Sequence, residues 1–212
     1  MDREEEGTGS VDSWEETAVL VAQEIRDWSE RVLEVPSEMF GGLPACPFAR
    51  KAWLSESVMI HVTMSLDAVV DMKACFPPTE DLLHVFAYLD YESMTPEEFN
   101  AWIDEQNEQH FGVWLMGFHP DSAEDPLTAE YEGLCDENYA IIIMQSLDHI
   151  VLASESLRKT GYYSNFPEED MEYINARRDV FDKWDKKVNA KAYQEQEEVY
   201  LSQRINEEDI EH

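Results

Sequence analysis

Apolar residues recur at two periods along this chain, and the switching between them outlines an architecture. Trp14, Ala18, Val21, Ile25, Trp28 and Val32 follow one another at steps of three and four, which places them on one face of a helix. Ser13 and Glu16 form an S-x-x-E pair, so this helix is expected to open at Ser13 with a capping box and to end by Pro36 and Gly41-Gly42. Over 58–64 the period falls to two, as in a half-buried strand. Ser65 then predicts a helix through Phe76, closed by Pro77-Pro78, and 83–89 reads as a second strand. Thr95-Pro96-Glu97-Glu98 combines a cap, a first-turn proline and a capping-box glutamate, the strongest helix start in the chain. The runs 113–118 and 140–144 are continuously apolar, as expected of strands covered on both faces. Ser146 opens another helix that stops near Lys159-Thr160-Gly161. Pro167 starts the last one, with Met171, Ile174, Phe181, Trp184 and Val188 on its apolar side.

A short helix is also expected from Pro47 to Leu54, ahead of the first strand. From Val58 the order is β-α-β-α-β-β-α. Strands interleaved with helices imply an α/β fold: a single domain with about four strands in a mixed sheet and helices packed on it. N-terminal and long C-terminal amphipathic helices flank it. The domain is expected to span 13–188. Residues 1–12 read as a disordered acidic N-terminus, and 189–212 as a polar acidic C-terminal helical extension or tail.

Charge changes the picture more than length does. The 212 residues carry 47 acidic against 15 basic side chains, a formal net charge of −32, while a 43% hydrophobic content is enough to build a core. Such a surface disfavours direct binding to nucleic acid phosphates and adhesion to anionic membranes. It suits a basic protein partner or a high-salt environment. No stretch reaches the roughly 18 apolar residues of a membrane span. The first residues also lack the basic and apolar regions of a signal peptide, so a cytoplasmic protein is expected. Cys46, Cys75 and Cys135 are too few and too scattered for a disulfide framework or a zinc site.

Candidate chemistry gathers at two places. In Gly41-Gly42-Leu43-Pro44-Ala45-Cys46-Pro47-Phe48-Ala49-Arg50-Lys51, Pro47 as a first helical residue would make Cys46 an N-cap. Its sulfur would then lie near unpaired amides, with Arg50 and Lys51 close by, an arrangement that favours a thiolate. The competing expectation is a packed thiol under a Gly-Pro turn. Glutaredoxin sites share the Cys-Pro-Phe order, but Ala49 replaces their resolving cysteine and the segment precedes the first strand instead of following it. The second place is Gly117-Phe118-His119-Pro120-Asp121 at a strand end, where open α/β sheets bind ligands. His119 would serve as a general base with Asp121, or as a turn histidine bonded to backbone. An H-x-D metal pair is the weaker alternative, no metal is assigned, and no cofactor is specified. Tyr162 and Tyr163, in the connection before Pro167, are candidates for a pocket mouth, with packing beneath two helices as the alternative. Glycine-rich phosphate loops, G-x-S-x-G and H-E-x-x-H are all missing from the sequence.

Cys46, Pro47, Phe48 and Ala49, followed later by Phe118, His119 and Pro120, resemble the two blocks of the bacterial domain-of-unknown-function family fourteen-fifteen. The likeness would extend over 28–157. It implies that Cys46 and His119 belong to one site, and it carries no established activity. Two functions follow as expectations. One is an enzyme or small-molecule binder built on Cys46, His119 and Asp121, with Arg50, Lys51, Tyr162 and Tyr163 contacting substrate. The other is a non-enzymatic acidic interaction protein that mimics DNA or binds a basic partner, with homodimerisation through the amphipathic helices as a further option.

Overall fold

The computed structural model describes residues 11–75, 82–109, 112–122, 139–184 and 186. The expected tail 189–212, with Val188, Cys135 and His110, lies outside them. The elements are α1 (Val11–Trp28), α2 (Ala49–Leu54), β1 (Val58–Thr63), α3 (Asp67–Cys75), β2 (Leu83–Tyr88), α4 (Pro96–Glu108), β3 (Val113–Phe118), β4 (Ala140–Ser146), α5 (Leu147–Leu157) and a last helix, α6, over 168–184. The order follows the sequence expectation, and two starts differ. The first helix begins at Val11, so Ser13 lies inside it, and residues 1–10 of the expected acidic N-terminus lie outside the described residues. The short helix before β1 begins at Ala49, with Phe48 in the capping position, so Cys46 is not its N-cap.

The four strands form one mixed sheet in the order β1-β2-β4-β3. The first two are parallel, as a helical crossover through α3 requires, and β4 pairs antiparallel with both β2 and β3. Alternation of side chains then sorts the core into two layers. Phe86, Tyr88, Leu115, Ile142 and Met144 face α3 and α4, where they meet Val69, Phe99 and Ile103. Val85, Ala87, Ile141 and Ile143 face the other way, onto Val21 and Ile25 of α1. The stripe read from the sequence is therefore largely spent on the protein's own core: Val21, Ile25 and Val32 are buried, and only Trp14 at its start stands well exposed.

Side-chain chemistry explains how α4 begins and ends. Thr95 and Glu98 form the expected capping box, each side chain accepting the other's backbone N–H, at 3.2 and 2.9 Å. At the other end of α4, the buried Lys73 of α3 donates to the carbonyl of Gln106, supplying a cation near the negative end of the helix. Desolvation pulls that ammonium down to about 8. Asn107 fills a role that strand pairing leaves open. Its side chain donates to the carbonyl of Leu115 at 2.9 Å and accepts from the N–H of Leu115 at 2.8 Å, closing the outer edge of β3.

Candidate functional site

Cys46 sits where the end of α1 turns into the short helix α2. Five residues, Ser29–Leu33, continue α1 as a π-turn, and Glu34 donates its N–H back to the Ser29 carbonyl at 3.0 Å. The widened turn brings Ser29 inward. Its hydroxyl accepts from the Trp53 indole at 2.8 Å and lies 3.2 Å from the Glu34 carboxylate. Arg26 pairs with that carboxylate and lies 4.9 Å from the centre of the Trp53 ring. The N–H of Cys46 is tied to the Leu33 carbonyl at 2.9 Å, which anchors the whole loop to this turn.

The cysteine itself does not match the expected thiolate. Burial pushes the Cys46 thiol up; N–H groups of Phe48 and Ala49 donate to the sulfur and oppose that rise, and the Glu34 carboxylate adds to it. Burial wins, so the group is a protonated thiol at neutral pH. Arg50 and Lys51 do not offset this. Both are exposed on α2 and line an open surface depression with Pro47, Leu54 and Ser55.

Tyr162 clasps the Cys46 loop, and Tyr163 packs within its own connection. The buried Tyr162 donates to the Ala45 carbonyl and stacks on Phe40 with ring centres 5.3 Å apart, while Tyr163 meets Phe166 edge-on at 5.1 Å. Asn165 adds a bond to the Glu38 carbonyl at 2.8 Å. Gly41 makes the approach feasible. Its φ is +64°, and a Cβ there would lie 2.3 Å from the Gly161 carbonyl oxygen.

His119 lies in the other layer of the protein. Phe118 points toward α1, where its ring meets Trp28 edge-on at 6.0 Å, so the next residue turns to the α4 side. There His119 is 5% exposed, between the edges of Tyr91 and Phe99 at 5.4 and 5.5 Å. The N–H of Asp121 donates to its Nδ1 at 3.2 Å, which leaves the proton on Nε2, facing the Tyr91 carbonyl at 3.3 Å. Both ring nitrogens are thus engaged by backbone, and Asp121 contributes its N–H where a carboxylate partner was expected. The contacts of Cys46 are with Leu33, Phe48 and Ala49, and those of His119 with Tyr91, Phe99 and Asp121. Among the described residues no group of three or more His, Cys, Asp or Glu side chains is arranged to hold a metal ion.

Two histidines do meet, at a place the sequence did not signal. His61 of β1 and His84 of β2 share a hydrogen bond between Nε2 and Nδ1 at 2.8 Å, and the His61 ring stacks on Phe86 with centres 4.7 Å apart. Desolvation, and then the charge of His84, hold the His61 pKa below its ordinary value. The folded state therefore binds this proton less readily than the unfolded chain. Stability present above the unfolded histidine pKa is lost as pH falls from about 6.5 through the lower folded value. Urea midpoints are expected to drop between pH 7 and pH 5, and to drop less in His61→Asn.

One feature of the surface is organised instead of scattered. Glu97, Glu98, Asp104, Glu105 and Glu108 are all exposed on α4, within about one third of the helix circumference by the 3.6-residue period. Helix α4 contains no basic residue. Burial, and then the neighbouring Glu108 carboxylate, push the Asp104 pKa up. Just beyond α1, Glu30 at 2.5 Å and Glu34 pair with Arg26, while on α1 itself Glu24 accepts from Tyr139 at 3.2 Å.

No protein-family model, curated protein or solved structure matches this chain. The class shown is thus that of the fold: an α/β domain with a four-stranded mixed sheet, in which no helix of the described residues is long and apolar enough to cross a membrane.

Proposed function

We propose that the protein is an acidic interaction protein that docks a lysine- and arginine-rich protein surface against the outer row of α4. The observation that carries this reading is the row itself: carboxylates from Glu97 to Glu108, spanning about 16 Å of helix, with no basic side chain on the helix to neutralise them. Like charges held on one rigid face cost folding free energy. A complementary basic surface relieves that cost on contact and steers the encounter at long range. The enzymatic alternative needs a Cys46 thiol that ionises readily, and burial of that thiol works against it. The proposed setting is the cytoplasm, in keeping with free Cys46 and Cys75.

The test is a titration of the full chain with a fluorescent peptide of alternating lysine and arginine, at about 50 and 300 mM salt, where screening shortens the reach of charge to a few ångströms. Saturable binding that weakens about tenfold or more with salt is expected. A failure to bind at low salt, or binding indifferent to salt, contradicts the proposal.

A further inference from the structure

A sheet of four strands has two outer edges, and here the two are treated differently. The outer edge of β3 is met by the Asn107 side chain. The β1 edge is the exposed one. That strand is half-buried or exposed along its whole length, where β2 and β4 are buried at all but one position each. Met59 within it and Met64 just after it stand 45% and 55% exposed. The bonds from the Leu83 N–H to the Ser57 carbonyl and from the Leu89 N–H to the Thr63 carbonyl fix which groups face β2. By alternation, Val58, Ile60 and Val62 turn their N–H and C=O to the outer side.

Natural sheet edges are commonly guarded by a lysine, a proline or a bulge. The sequence of β1, Val-Met-Ile-His-Val-Thr, holds no charged residue and no proline, and it pairs with β2 residue for residue, without a bulge. Residues 57–66 contain none of the chain's Asp, Glu, Lys or Arg side chains. Exposed carboxylates stand just beyond this stretch at both ends, Glu56 before it and Asp67 after it. Glu56 sits there under strain. It follows the C-cap of α2 with φ +56°, a left-handed conformation in which glycine is at ease, and among the described residues no other non-glycine has a positive φ. A carboxylate held against local preference at the start of an open strand points to a use for its charge.

We propose that the β1 edge takes up an extended segment of a partner protein as a fifth strand, a segment β-branched in its middle and carrying lysine or arginine at both ends. The outward backbone groups of Val58, Ile60 and Val62 supply the ladder, and Glu56 and Asp67 receive the basic ends. The six residues of β1 run about 20 Å, the reach of a seven-residue extended peptide. A second copy is the less favoured occupant, because two chains of charge −32 repel. The β1 edge is the one opposite β3, which α4 closes, so this proposal and that for the acidic row fail separately. The test is amide hydrogen exchange, read by NMR on the full chain, with and without saturating peptide Lys-Val-Thr-Val-Thr-Val-Lys. The Val58, Ile60 and Val62 amides should exchange freely in the free chain and slow by about tenfold or more with the peptide. A peptide of equal charge with proline at its centre should leave them unchanged. Glu56→Gly should raise the urea midpoint and yet weaken peptide binding about twofold or more. Protection of these amides in the free chain, whether by the chain itself or by a second copy, overturns the proposal. So does an absence of slowing with the peptide, equal slowing with the proline control, or wild-type affinity in Glu56→Gly.

Discussion

Replacing Asn107 by alanine is expected to lower the stability of the protein by about 2–4 kcal/mol, measured by urea unfolding. Asn107 is buried, and its amide satisfies both backbone groups of Leu115 on the outer edge of β3. Leu115 is itself fully buried, so water does not replace the amide when it is removed. Two polar backbone groups are then left without partners, each worth about 1–3 kcal/mol. Aspartate is a useful companion, since it can accept from the Leu115 N–H but cannot donate to the carbonyl when ionised. Asn107→Asp should therefore fall below wild type as well, and a value near wild type for either variant would remove the account of how β3 is closed.

The second large effect is expected at Gly117, at about 1–3 kcal/mol for alanine and more for valine. A Cβ there would lie 2.6 Å from Phe99 Cε1 and 2.8 Å from Ile103 Cγ1, both fully packed in the α4 layer. The missing side chain is what lets α4 lie close on β3. Relief should come from the other side of the contact. Combining Gly117→Ala with Ile103→Val should cost less than the sum of the two single changes, because the shorter side chain vacates space that the new methyl takes. Strict additivity would show that the close approach is not what the glycine serves.

Neither role stood out in the sequence, and the reason is physical. The elements that could be read are those set by local chemistry. The Thr95–Glu98 capping box, the alternation in β1 and the apolar runs of β3 and β4 each depend on neighbours within a few positions. The sheet order is different. With β4 and much of β3 apolar on both faces, nothing in either run says which should be central, and the insertion of β4 between β2 and β3 follows from contacts far apart in sequence. The same distinction explains why Cys46 is not the helix cap. Pro47 is a legitimate helix start, but the bond from the Cys46 N–H to Leu33 and the clasp from Tyr162 delay the helix until Ala49. The π-turn that makes those contacts leaves no local signature.

The site expectations divide along the same line. From sequence alone His119 suits either a base or a backbone-bonded turn residue, and the positions of Tyr91, Phe99 and Asp121 favour the second. Adjacency in strand order brings His61 to His84, which pairwise spacing does not reveal. By contrast, the acidic row of α4 was legible in principle, since it is a helical period of carboxylates with no lysine or arginine between them. It was hidden by the overall acidity, which made every helix look alike.

The central claim is that this row, and not acidity in general, forms the docking surface. The decisive measurement compares two variants of equal charge in binding the lysine–arginine peptide at low salt. One neutralises Glu97, Asp104, Glu105 and Glu108 on α4 as their amides; the other neutralises Glu15, Glu16, Glu24 and Asp27 on α1. The α4 variant should lose about fourfold or more in affinity, since four exposed pairs contribute roughly 0.2–1 kcal/mol each, while the α1 variant stays within about twofold. Equal losses from the two variants would contradict the claim and return the acidity to a general property of the surface.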